Sequence, residues 1–159
     1  MDQSVRDVLT AADRLGEWES PADGYDYDSL WSEIDALVPQ VETLVGYSLD
    51  VDRNVQDASF LTDVGLLSNR FYDDQSSVID YVFSIRFSNF SRLFTIHGKE
   101  WQERYDELRL GECIELFTEH KFKYIPSDVL HVPYDGVNGA DHPIADSPLT
   151  WWIRFFDYL

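Results

Sequence analysis

Apolar residues in the first part of the chain recur at helical spacing. Val5, Val8, Leu9, Ala12 and Leu15 fall on one face of a helix over 4–15, with Gly16 placed to stop it. Residues 17–27 are rich in turn formers and read as a surface loop. A second helix starts at Asp28 or Ser29, either of which can cap it, and buries Leu30, Ile34, Leu37 and Val38. Pro39 has no amide hydrogen and is expected to kink or end that helix, leaving a last helical piece over 40–45 that runs to Gly46.

The period then changes from helical to alternating. Residues 59–67 form a candidate strand. The clearest strand is 80–87, where Tyr81, Phe83, Ile85 and Phe87 alternate with Val82, Ser84 and Arg86. Ser88 to Ser91 turn the chain, and Arg92 to His97 return as the hairpin partner, ended by Gly98. A helix follows over 101–119, with a break expected near Gly111. Residues 121–125 make a short edge strand whose lysines discourage further pairing. The chain closes on a helix capped by Ser147-Pro148, with Leu149, Trp152, Phe156 and Leu159 on one face. Trp151, Phe155 and Tyr158 widen that face, and Arg154 and Asp157 are its only charges. These elements predict one α+β domain over 1–159. Its antiparallel sheet has about three to five strands with helices packed on one face, and both terminal segments are helical.

Composition agrees with a globular chain: 44% of its 159 residues are hydrophobic. Cys113 is the only cysteine, so no intrachain disulfide forms, and its place on an apolar helix face marks it as a small buried hydrophobe. No apolar run approaches the roughly 18 residues of a membrane span. The first residues lack the basic start and apolar run of a signal peptide. The expectation is a soluble protein of the reducing cytoplasm.

Charge changes the picture most. Thirty acids against 12 bases give a net charge of −18. The imbalance is concentrated in residues 1–80, with 18 acids and 4 bases, against 12 and 8 in the remainder. Direct nucleic-acid binding is disfavoured because phosphate contacts need a basic footprint, and docking on an anionic membrane for the same reason. An acidic face around Asp23, Asp26, Asp28, Glu33 and Asp35 would steer a basic protein partner. The same surplus also serves solubility or salt adaptation. Aspartate outnumbers glutamate 20 to 10 and only three lysines occur, as a high-salt interior favours.

Motifs for specific chemistry are incomplete. The one Gly-Lys pair, Gly98-Lys99, has Leu93 where a phosphate loop needs its first glycine. Gly46-Tyr47-Ser48-Leu49-Asp50 lacks the second glycine of a nucleophile elbow. Asp50, Asp52, Asn54 and Gln56 alternate like the start of a calcium loop, but Val55 and Leu61 stand where glycine and the closing glutamate belong. His97 and His120 end a strand and a helix and read as structural. The segment 131–146 is the densest candidate: His131, Tyr134, Asp135, Asp141, His142 and Asp146 gather imidazoles and carboxylates in one long loop. No metal motif fits its spacing, and no cofactor is expected. The leading expectation is therefore a non-enzymatic interaction or inhibitor module for a basic partner, similar in size and charge to bacterial immunity proteins. The alternatives are a small enzyme or metal-binding protein using 131–146, or a structural subunit of an oligomer.

Overall fold

Asp2 opens the first helix: its carboxylate accepts the Ser4 amide at 2.8 Å. Helix α1 (Gln3–Ala12) then buries Leu9 and Ala12. The computed structural model describes residues 1–14, 26–53, 61–68, 80–88, 91–138 and 148–157. The Gly16 stop and the 17–25 loop lie outside them.

Asp26 caps α2 (Tyr27–Val45) by accepting the Ser29 amide, two residues earlier than the expected start. Gly46 closes it at φ 77°, a left-handed cap that glycine adopts without a Cβ clash. Pro39 does not end this helix. The bond it cannot make would run to the Asp35 carbonyl, and Asp35 and Pro39 are both exposed, so solvent can take the place of the lost donor.

Strands β1 (Asp50–Arg53), β2 (Leu61–Leu67), β3 (Tyr81–Ser88) and β4 (Leu93–His97) pair antiparallel in sequence order. β5 (Lys123–Tyr124) joins the β4 edge in parallel. The expected hairpin is present, with Ile85 opposite Ile96 and Phe87 opposite Phe94. The fold is thus α+β, on an open, mostly antiparallel five-stranded sheet with helical ends.

Helix α3 spans Leu110–Glu119, shorter than the pattern suggests, and residues 101–109 form successive turns. The break falls at Arg109, not Gly111. Arg109 is left-handed (φ 51°), and the Leu110 amide reaches back to the Tyr105 carbonyl at 3.1 Å. Helix α4 (Ser127–Leu130) is a single turn. The last helix, α5 (Trp151–Phe156), is capped by Thr150, whose hydroxyl accepts the Ile153 amide, and not by Ser147-Pro148. The cause is a bridge between Pro133 and Thr150, with the Tyr134 amide donating to the Leu149 carbonyl at 2.9 Å, which holds 149–150 extended.

One face of the sheet carries the larger core. Val64, Phe83, Ile85, Phe87, Phe94 and Ile96 pack against Leu30, Ile34, Leu37, Val41 and Val45 of α2 and Cys113 and Phe117 of α3. Phe87, Phe94, Phe117 and Phe122 form a ring cluster with centroids 4.8–6.5 Å apart. Each such burial contributes about 1.5–3 kcal/mol. A smaller cluster gathers Leu9, Leu93, Ile125, Leu130, Trp151, Phe155 and Phe156 from α1, β4, α4 and α5. Leu93 points away from Phe94, so this cluster sits toward the second face. Arg154, the one charged residue within α5, has a fully buried side chain, at 0% exposure.

Candidate functional site

The second face of the sheet is polar and yet covered. Strand register places Asp52 opposite Asp63, Asp63 opposite Arg86, and Arg86 opposite Thr95, a straight row across four strands. The next row on the same face pairs Ser84 with His97. Asp63, Ser84, Arg86 and Thr95 are all buried, while Asp52 and His97 are half-buried. Hydrophilic residues on alternate strand positions would ordinarily meet water. Here α5 lies over them.

Asp63 is the hub. One carboxylate oxygen accepts the Ser84 hydroxyl at 2.8 Å, Arg86 Nε at 3.0 Å and His97 Nε2 at 3.3 Å; the other accepts Arg86 Nη2 at 2.7 Å. Arg86 spends Nη1 on the Phe156 carbonyl at 2.8 Å, tying the sheet to the end of α5. Burial pushes the Asp63 carboxyl up, but hydrogen bonds from His97 and Arg86, and their charges, outweigh it and hold it down at about 2. Asp63 is therefore ionised and accepts only. It follows that His97 donates through Nε2.

Trp152 closes this cluster. The Arg86 guanidinium lies 5.6 Å from its ring centroid, His97 meets it edge-on at 5.6 Å, and His131 stacks on it at 5.3 Å. Asp52 lies at the open end of the row. Burial and the neighbouring Asp63 push its carboxyl up, and Arg86 offsets that only in part. Asp63, His97 and Ser84 are the residue types of a hydrolytic triad, but they are wired differently. Both Ser84 and His97 donate to the same Asp63 oxygen, so the Ser84 proton faces a carboxylate instead of an imidazole.

A second polar knot lies under α5. Asp13 accepts Tyr134 Oη at 2.5 Å and the Val137 amide at 2.9 Å on one oxygen. Its other oxygen takes Asn138 Nδ2 at 3.0 Å and Arg154 Nε at 2.8 Å. Burial and then Asp13 push the Tyr134 phenol up to about 12. Gly136 backs onto the knot, where a Cβ would collide with the Asp13 carboxylate and the Tyr134 ring.

These contacts place the residues singled out from the 131–146 segment. His131 goes to Trp152. Tyr134 packs on Trp151 at 4.7 Å and bonds Asp13, and Asp135 pairs with Arg6 and accepts Trp151 Nε1 at 3.3 Å. His131 and the Tyr134–Asp135 pair thus engage different tryptophans of α5. Asp141, His142 and Asp146 lie outside the described residues. Among the described residues no group of three His, Cys, Asp or Glu is placed to hold a metal ion.

The acidic face is distributed similarly. Asp26 caps α2 and Asp28 lies exposed in its first turn. Glu33 accepts a bidentate Arg92 fork at 2.7 and 2.9 Å, which lowers its carboxyl, and Asp35 pairs with Arg53. Asp23 lies outside the described residues. Ser48 is exposed past the Gly46 cap, and Asp50 and Asp52 belong to strand β1, not to a loop. Cys113 is fully buried, and burial raises its thiol to about 11. Sequence reasoning missed the Asp52–Asp63–Arg86–His97 cluster. The available signal was that charged residues occupy the same alternate phase of three consecutive strands.

The fold and this cluster define an α+β domain with an open five-stranded sheet and a buried ionic hub beneath its last helix. No protein-family model, curated protein or solved structure significantly resembles the chain. No helix among the described residues is long and apolar enough to cross a membrane.

Proposed function

We propose that this protein is a non-enzymatic binding module for a basic protein partner, working in the reducing cytoplasm. One observation carries the reading. Of the 12 cations, Arg6, Arg53, Arg86, Arg92, Lys99, Arg104, Arg109 and Arg154 are each matched to a carboxylate of the same chain. The positive charge is largely spent internally, so the surplus of 18 negative charges is left for something outside the chain. Such a field accelerates encounter with a basic surface and rejects acidic ones. Salt adaptation would use the same surplus without any partner, and salt separates the two readings. Immobilised protein exposed to lysate of its source cell at low salt should retain a basic protein. The purified pair should then lose affinity steeply between roughly 50 and 500 mM salt. A retained partner that is acidic, or an affinity indifferent to salt, overturns the proposal.

A further inference from the structure

The sheet is finished on one side and left open on the other. At the β4 edge the chain supplies a strand of its own: the Lys123 amide donates to the Arg92 carbonyl at 2.9 Å and the Ile125 amide to the Phe94 carbonyl at 2.8 Å. At the opposite edge β1 pairs with β2, and no described strand lies beyond it. Alternate residues of an antiparallel strand turn their amide and carbonyl toward the neighbour, and the residues between them turn theirs away. Among the described residues, Val51 and Asp52 make no hydrogen bond outside the β1–β2 ladder, and Arg53 adds only its side-chain bond to Asp35. The outer rim of β1 thus carries main-chain groups able to pair with a further strand.

The side chains of β1 define the strand that fits. Asp52 stands opposite Asp63 on the polar face, and Asp50 shares its phase. Val51, between them, is half-buried and packs against the larger core on the other face. A strand added at this edge sets its own side chains beside these, so basic residues suit the Asp50 and Asp52 side and an apolar residue completes the cover of Val51. A second copy of this chain fits badly. Edge-to-edge pairing with the faces matched brings Asp50 and Asp52 of one copy against the same aspartates of the other, between chains that each carry a charge of −18.

We infer that the outer rim of β1 is where the basic partner docks, through an extended segment that pairs along Asp50–Arg53 and adds a further strand to the sheet, with arginine or lysine alternating with apolar residues. This rests on the reading of the protein as a module for such a partner and names the surface and the conformation of what it takes. Main-chain pairing supplies affinity that does not depend on the partner's sequence, and the alternating side chains supply the choice. The acids on the edge therefore do two things at once: they keep copies of this chain apart and admit a strand of opposite charge.

The test uses the full chain and a peptide of about six residues that alternates arginine with valine, with affinity measured by calorimetry at low salt. Two further peptides carry N-methyl groups, one on the arginine amides and one on the valine amides. Methylation leaves the charge unchanged and removes main-chain donors from one side of the peptide only. One of the two should bind about tenfold more weakly than the unmethylated peptide, and the other within about twofold of it. Hydrogen exchange should slow at the β1 amides that face outward when the unmethylated peptide is added. Binding that neither methylation disturbs is attraction by charge alone; it overturns the edge and spares the wider reading. A protein that takes no form of the peptide also overturns the edge, and retention of a basic protein from lysate then decides the wider reading by itself. Protection of β1 that rises with protein concentration in the absence of peptide assigns the edge to a second copy and overturns the partner strand.

Discussion

Removing Arg86 isolates the energetics of the hub. Arg86→Met keeps much of the side-chain length but deletes the guanidinium, leaving Asp63, 1% exposed, with only Ser84 and His97 as donors. Breaking a buried pair in this way costs about 3–5 kcal/mol, because an uncompensated charge stays in low dielectric. The lost bond to the Phe156 carbonyl adds about 1 kcal/mol. Set against the usual 5–15 kcal/mol of a domain, that is a large fraction of total stability. The penalty should also depend on pH in a diagnostic way. Without Arg86 the Asp63 carboxyl rises, so mild acid neutralises it and relieves the variant while the parent gains nothing comparable. The double variant Arg86→Met/Asp63→Leu should recover part of the loss, limited by the orphaned Ser84 hydroxyl. Urea unfolding at pH 7 and pH 4, followed by far-UV circular dichroism, gives all of these values. A loss below about 1 kcal/mol at pH 7, or an equal loss at both pH values, would show that the hub is not a tightly coupled buried pair.

Three further outcomes follow from the same geometry. In the parent, the folded Asp63 carboxyl lies below its unfolded value. Its contribution, roughly 2–3 kcal/mol, is therefore fully present above about pH 4 and lost as pH falls toward about 2. Asp52 runs the opposite way, since its carboxyl is raised and acid relieves it; stability measured across this range should track Asp63 and lose its acid limb in Asp63→Asn. Gly136→Ala drives a methyl group into the Asp13 carboxylate and Tyr134 ring and should cost about 1–3 kcal/mol, read as a lowered melting temperature. Cys113, with its thiol raised to about 11, should resist alkylation at neutral pH until denaturant is added, whereas rapid native labelling would place it at the surface.

The hairpin was legible because its period-two pattern is local: Ile85, Phe87, Phe94 and Ile96 need only one another and the helices above them. Helix α2 was legible in its stripe but not through Pro39, because the cost of a proline depends on which side of the helix loses its donor. The polar row was not legible. Ser84, Arg86, Thr95 and His97 sit on the strand phase that a two-layer α+β domain would turn to water, and only the arrival of α5, distant in sequence, buries them. Arg154 shows the same limit. The aromatic pattern of α5 does not say where its one arginine goes, and the Asp13 carboxylate, from the other end of the chain, supplies it with a buried partner. The Asp13–Arg154 pairing, unlike the charged row on the strands, leaves no periodic trace.

That pairing also bears on how the protein lasts. Asp13 and Arg154 are 141 positions apart, so their contact closes nearly the whole chain into a loop. Loop-closure entropy makes such a contact among the last to form. An interaction absent from the folding transition state but present in the native state leaves the folding rate unchanged and slows unfolding. Substitutions at Asp13 or Arg154 should then steepen loss of the native state with time while refolding proceeds at the parental rate, separable in the two limbs of a urea chevron. The clasp between the two ends is in that sense a timer on the native state.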